Sequence, residues 1–158
     1  MKIVRLRFAI FCLILFCMVC VPITKPVFNV FAEPSITYYF YTSSINYQIS
    51  GAKITSCGNG SIVSCNAEDS QKIKKILPYI YGESVRIKNY DNDTLKNIIQ
   101  NYTKNLVKKE YIDDYNFMLC YDKSMPNFVT IDNQKVNVQI AISQNEINIG
   151  YPLILNGF

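Results

Sequence analysis

The chain has 158 residues, 49% of them apolar, with twelve tyrosines and neither histidine nor tryptophan. Without imidazole there is no Ser-His-Asp or Cys-His nucleophile system, and the commonest transition-metal ligand is missing. The formal charge of +4 arises at the N-terminus, because Lys2, Arg5, Arg7 and Lys25 precede the first acidic residue, Glu33; the twelve basic and twelve acidic residues that follow cancel, which removes the global electrostatic reason to bind nucleic acid or an anionic membrane.

Lys2, Arg5 and Arg7 are followed by an uncharged apolar run over residues 8–24, and then by Val30-Phe31-Ala32 ahead of Glu33-Pro34. A basic start, an apolar core and a small-residue site make the layout of a secretory signal over residues 1–32, with cleavage between Ala32 and Glu33. The run is shorter than the roughly 20 residues of a spanning helix. The stretch from Lys25 to Ala32 is long for an approach to a cleavage site, so an uncleaved N-terminal anchor stays open as the alternative. In either case residues 33–158 lie outside the cytoplasm, and membrane contact runs only through residues 8–24 if the signal is retained. Val19 before Cys20 is too bulky for a lipidated cysteine.

Residues 36–41 (ITYYFY) are aromatic and β-branched and predict a strand. The polar residues 43–51 give no clear pattern. Residues 52–65 predict a β-hairpin around Asn59-Gly60, a dipeptide suited to positive φ at both central positions. Asn66 is a good N-cap, with Glu68 and Asp69 in the first turn, and Ile73, Ile76, Leu77 and Ile80 share one helical face. Pro78 ends or kinks that helix, and Gly82 breaks the chain before a strand over 84–89. A second helix, capped by Asp91 or Asp93, carries the apolar stripe Leu95, Ile98, Ile99, Tyr102 and Leu106 to about Lys109. Strands follow over 114–121, 127–132, 135–143 and 146–151. Val136, Val138, Ile140 and Ile142 alternate with Asn137, Gln139 and Ala141, which buries one face and wets the other. That pattern fits an antiparallel sheet. Residues 33–158 thus predict a single α+β domain, an antiparallel sheet with two helices packed on one face.

Few residues carry chemistry. Lys72/Lys74/Lys75 and Lys104/Lys108/Lys109 each lie on a predicted helix beside acidic residues, as solvated helix faces do. Asp91-Asn92-Asp93 lacks the later ligands and the glycine of a calcium loop and reads as a cap. Asp113-Asp114 reads as a turn. Gly58-Asn59-Gly60-Ser61 lacks the Gly-Lys-Ser/Thr ending of a phosphate loop and reads as a hairpin turn. Cys12, Cys17 and Cys20 fall in the signal, which leaves Cys57, Cys65 and Cys120 in a location that permits disulfides. A turn at Asn59-Gly60 pairs 57 with 62 and puts 57 and 65 on opposite faces, whereas a bulge would bring them to one. A Cys57–Cys65 bond, a bond from Cys120 to either, and free buried thiols are the alternatives, and a four-cysteine metal site is short of ligands. Tyr38, Tyr39 and Tyr41 in one strand show on both sheet faces. No catalytic, cofactor-binding or metal-ligating residue is assigned, and no cofactor is implied.

Residues 135–154 (KVNVQIAISQNEINIGYPLI) resemble the C-terminal strands of the YwmB family of exported Gram-positive proteins. Lys135-Val-Asn137-Val-Gln139-Ile-Ala141 fits a first strand of the type Lys-x-Asn-x-Gln-Ile-Ala. Gly150-Tyr151-Pro152-Leu153-Ile154 fits the closing Gly-Thr-Pro-Ile, with Tyr151 where threonine is usual. Asn127-Phe128-Val129-Thr130-Ile131 matches the preceding strand. The resemblance covers the last third of the chain. It implies a TATA-box-binding-protein-like fold, a curved antiparallel sheet with helices on its convex face. The family's function is not established, so no functional residue carries over, and a DNA-binding role rests on fold alone. The expected function is a non-catalytic binding or interaction module at the bacterial cell envelope, its partner an unknown protein or ligand and not nucleic acid. An envelope enzyme using carboxylates is the alternative, with nucleic-acid binding third.

Overall fold

The computed structural model describes residues 35–155; the signal expected over residues 1–32, with its Ala32–Glu33 junction, lies outside them. The aromatic and β-branched run near the start forms β1 (Ile36–Ser43), two residues longer than its pattern predicts. β2 (Ala52–Cys57) and β3 (Gly60–Asn66) form the hairpin. Its turn is one residue earlier than expected. Cys57 pairs with Gly60, not Ile62, so Gly58-Asn59 is the turn. Of these two, only Gly58 has a positive φ, +56°, which is the sign pattern of a turn with glycine first.

Helix α1 (Ala67–Ile76) starts where Asn66 accepts a hydrogen bond from the Asp69 backbone N–H at 2.9 Å. Glu68 and Asp69 sit in the first turn and Lys74 and Lys75 in the last, complementing the helix dipole. Leu77 is extended, ψ 134°, because a residue before proline is kept out of the helical region. Of the predicted apolar face, Ile73 and Leu77 are buried and Ile76 is exposed. β4 (Ile80–Lys88) begins before Gly82 and runs through it. The glycine is therefore not a break; it is a place where another part of the chain comes close.

Helix α2 (Asn92–Tyr102) is capped by Asp91, whose Oδ1 accepts from the Thr94 N–H at 2.7 Å. It stops earlier than its stripe suggests. A 3₁₀ turn (Thr103–Asn105) leads into β5 (Leu106–Ile112), which pairs with β6 (Tyr115–Cys120) across Asp113-Asp114. Leu106 falls at helical spacing from Tyr102, but its segment gains a full ladder of cross-strand bonds, and that tertiary pairing outweighs the local pattern. Lys108 and Lys109 consequently belong to a strand, not to a helix face. The strand predicted over 135–143 is split into β8 (Gln134–Val136) and β9 (Val138–Ile142), and the former pairs with β7 (Val129–Ile131). Asn137 makes the division. Fully buried, it receives the Asp122 N–H on its side-chain oxygen at 2.7 Å and donates to the Asp122 carbonyl at 2.7 Å. The last strand is β10 (Glu146–Tyr151).

Eight strands form one antiparallel sheet in the order β2-β3-β1-β4-β10-β9-β6-β5, with β7-β8 a separate hairpin. In that order β3, β4 and β5 point the same way. Helix α1 joins β3 to β4 over β1, and α2 joins β4 to β5 over three strands. Both crossovers step in one direction across the sheet from like-oriented strands. A common handedness, the rule for such connections, then puts both helices on one face. Ile73, Leu77 and Ile98 from the helical side indeed share one core with Phe40, Val63, Val85, Ile140, Ile147 and Ile149 of the sheet. Over the described residues the fold is α+β with both helices on one face, as the sequence predicts, and among these residues the other face carries no helix.

Candidate functional site: the helix-free face of the sheet

Strand register sets which side chains stand together on this face. One row across the strands reads Ser64, Tyr39, Ser84, Gly150, Gln139 and Leu119; the next reads Thr37, Arg86, Asn148, Ala141 and Phe117. The first half of each row is polar and the second largely apolar.

A connected polar network occupies the centre. The Arg86 Nε donates to the Asn148 side-chain oxygen at 2.9 Å and lies 3.7 Å from a Glu146 carboxylate oxygen. The other Glu146 oxygen receives Asn148 Nδ2 at 3.0 Å and the Tyr115 hydroxyl at 2.9 Å. The Arg86 guanidinium also lies 5.5 Å from the centre of the Tyr39 ring, a cation–π contact. Asn148 is 1% exposed, and the Arg86 and Glu146 side chains keep 19% and 16% of their surface. Burial works against the Glu146 carboxylate, but the Asn148 and Tyr115 hydrogen bonds and the charges of Arg86 and Lys88 outweigh it and hold its pKa below the ordinary value. Tyr115 titrates above a normal phenol, first because it is buried and second because it donates to Glu146.

After Tyr151 the chain turns back over this same face. The resulting strap, residues 152–155, lies directly on sheet backbone at two glycines. A Cβ on Gly150 would stand 2.4 Å from the Ile154 nitrogen, and one on Gly82 would stand 2.6 Å from the Tyr151 carbonyl oxygen and 3.2 Å from the Pro152 ring. Two side chains read the strap's main chain. The Ile154 N–H donates to the Gln139 side-chain oxygen at 3.0 Å, and the Leu155 N–H to the Tyr41 hydroxyl at 3.1 Å. The Tyr41 hydroxyl is 2.9 Å from the Ser84 hydroxyl. Ile154 packs with Phe117, Ala141 and Tyr115 in a second, small core. The expectation of one wet face is thus corrected: Ala141 and Phe117 belong to the helix-free side and are buried by the chain's own tail. The sequence did carry a signal for this, since a glycine inside a strand marks a close backbone approach.

The other candidate residues fall elsewhere. Asp91 is a helix cap, and the Thr94 hydrogen bonds hold its pKa down. Asp113-Asp114 is a hairpin turn, with Asp113 at φ 51°. Lys74 pairs with Glu83 at 2.6 Å on the helix-covered face, where Glu83 is 4% exposed. Lys108 holds Glu110 and Asp132 at 2.8 Å each, in solvent. Among the described residues no three His, Cys, Asp or Glu side chains are grouped to hold a metal ion, and no helix is long and apolar enough to cross a membrane.

Among the described residues, Cys57, Cys65 and Cys120 are free thiols. Cys57 is exposed on the helix-free side, opposite Gly60, whereas Cys65 is buried on the helix-covered side, opposite Ala52. The earlier turn preserves the opposite-face arrangement that keeps them from bonding. Cys120 lies five strand spacings from Cys65 in the sheet order, which is about 24 Å at 4.8 Å per strand, against a disulfide limit of about 7 Å between Cα atoms. Burial pushes the Cys65 thiol up to about 12 and that of Cys120 to about 11.

No family model, no curated protein and no solved structure matches the chain.

Proposed function

We propose that the protein is a non-catalytic binding module acting outside the cytoplasmic membrane, with the helix-free sheet face as its contact surface. The observation that carries this reading is the Arg86–Asn148–Glu146–Tyr115 network. It arms the centre of the helix-free face with fixed hydrogen-bonding groups, of which Arg86 and Glu146 keep part of their surface, the arrangement that orients a partner on a surface. The basic and apolar start of residues 1–32 supports the extracytoplasmic location. The strand pattern of residues 135–154 supports membership of the YwmB family and a TATA-box-binding-protein-like arrangement, with the helix-free face as the sheet's open side. Such a likeness would invite a DNA-binding reading, but Glu146 neutralises Arg86 where phosphates would have to sit.

A photo-crosslinker placed at Tyr39, on the face, and at Gln71, on exposed α1, tests the proposal in cells producing the full chain. The expected result is a discrete adduct from position 39 and none from position 71. No adduct from 39, or the same adducts from both, would overturn it. N-terminal sequencing of the exported protein settles the location: a start at Glu33 means cleavage, and an intact Met1 in the membrane fraction means an anchor.

A further inference from the structure

The structure assigns a ligand chemistry to the apolar half of the helix-free face: we propose that it is a peptide groove, held shut in the isolated protein by the chain's own strap. This deepens the reading of that face as the binding surface and rests on it. The strap shows what the groove accepts. Gln139 and the Tyr41 hydroxyl each accept a main-chain N–H, from consecutive residues of a segment that belongs to no helix or strand. These contacts depend on the backbone of the occupant, not on its side chains. On the β9–β6 side of Gln139, away from Tyr41, a socket of Phe117, Ala141 and Tyr115 takes one branched aliphatic side chain, here Ile154, down to 9% exposure. Gly82 and Gly150 present bare sheet backbone along the track, so a main chain seats without side chains in its way.

The occupant is accordingly an extended segment of another protein with one aliphatic anchor and two free amide N–H groups beside it. Mixed recognition of this kind, main chain for affinity and one pocket for specificity, is how extended peptides are bound. The strap competes for the same groups, so a partner binds in proportion to the fraction of molecules whose strap is open. The strap is built to be the weaker competitor. Its own core is confined to Ile154, Phe117, Ala141 and Tyr115, and Leu155 remains 57% exposed.

The test uses a fluorescein-labelled synthetic peptide, Gly-Tyr-Pro-Leu-Ile-Leu, and the full chain with an Ile154→Asp substitution that expels the strap's anchor. The expected result is weak binding to the unaltered chain and at least about tenfold tighter binding to Ile154→Asp, since closing the strap reduces apparent affinity by the open fraction. Adding Gln139→Ala removes the gain, and a peptide with aspartate in place of isoleucine does not bind. A folded Ile154→Asp protein that binds the peptide no better than the unaltered chain overturns the proposal. If that variant does not fold, amide exchange in the unaltered chain decides. An Ile154 amide exchanging about tenfold or more faster than that of Ile149 shows a strap that opens locally; equal protection shows one that opens only with the whole fold, and overturns the proposal. Position 39 lies outside the socket, so an adduct there without peptide binding refutes the groove and leaves the binding face standing.

Discussion

Replacing Gly150 with alanine is a test of sign. Gly150 does not have a left-handed φ, so alanine meets no backbone strain there. In a strand that merely faces solvent, removing glycine's excess freedom would stabilise the protein by about 0.5–1 kcal/mol. Under the strap the new methyl would meet the Ile154 nitrogen and the Leu153 carbonyl carbon at 2.4 Å and the Leu153 oxygen at 2.6 Å, where ordinary contact begins at 3.4 Å. All three are main-chain atoms and cannot swing aside as a side chain would. The Leu153–Ile154 peptide therefore has to lift by roughly 1 Å, which takes bonds of 3.0 and 3.1 Å out of hydrogen-bond range. The loss is about 1 kcal/mol for each bond and part of the about 1.5–3 kcal/mol that burying an isoleucine contributes. After the glycine effect is set against it, the expected outcome is a net destabilisation of about 2 kcal/mol. Urea unfolding of the two proteins measures it, and the Ile154 amide should lose its exchange protection in parallel. A neutral or stabilised Gly150→Ala protein with Ile154 still protected would refute the strap geometry.

The Lys74–Glu83 pair gives a double-mutant cycle. Glu83→Ala leaves Lys74 facing a buried vacancy and should cost about 2–3 kcal/mol, below the 3–5 kcal/mol of a fully buried pair because the Lys74 side chain keeps 20% of its surface. Replacing both by Met and Leu should cost much less; a double-variant loss equal to the sum of the two single losses would show that the pair does not interact. The lowered pKa of Glu146 makes it a source of stability above its unfolded pKa, near 4.5, that is lost as pH falls through the lower folded value. The carboxyl chemical shift of Glu146 should follow that titration, and Arg86→Ala should move it upward; a midpoint unchanged by the substitution contradicts the network. Of Cys57, Cys65 and Cys120, only Cys57 should be alkylated in the native protein, read by peptide mass mapping. Labelling of Cys65 or Cys120 without denaturant would contradict their burial.

The sequence made some parts of this fold legible for local reasons and hid others for non-local ones. Asn66 and Asp91 name their own helices, because a cap needs only residues within one turn. β10 appears with its expected bounds because Ile147 and Ile149 alternate with polar partners on both sides. Leu106 misleads because its helical spacing from Tyr102 is genuine, and the partner strand that overrides it lies beyond a turn. Asn137 sits in an unbroken alternation, and its side-chain hydrogen bonds to Asp122 and Met125, which no local pattern announces, turn the chain there. The candidate site was the least legible part. Arg86, Asn148 and Glu146 are single polar residues in three separate stretches, brought together by the register of β4 and β10. Gly82 and Gly150 did carry a signal, but a glycine in a strand shows only that something comes close, not what.

Topology explains why the helix-free face is divided. Two crossovers of one hand cover only one side of an eight-strand sheet. The neighbouring strands β9 and β6, toward one edge of the sheet, still carry Ala141 and Phe117 outward, and an apolar patch left in water would be a liability. The tail resolves this by crossing at Gly150, where β10 is low enough to let it pass, and by filling the patch with Ile154. Ile154 packs on Tyr115, whose hydroxyl donates to Glu146, so the strap meets one edge of the polar network; the charges of Arg86 and Glu146 balance within the face and give no reason for a polyanion to bind. On the proposed reading, a partner meets two adjoining surfaces of different character. Arg86 and Glu146 keep part of their surface with the strap closed and would set orientation, whereas the apolar half would become available only when the strap leaves. Ligands that need both should bind with a rate limited by strap opening, so their association should speed up in the Ile154→Asp protein while their contacts with Arg86 and Glu146 stay as they were.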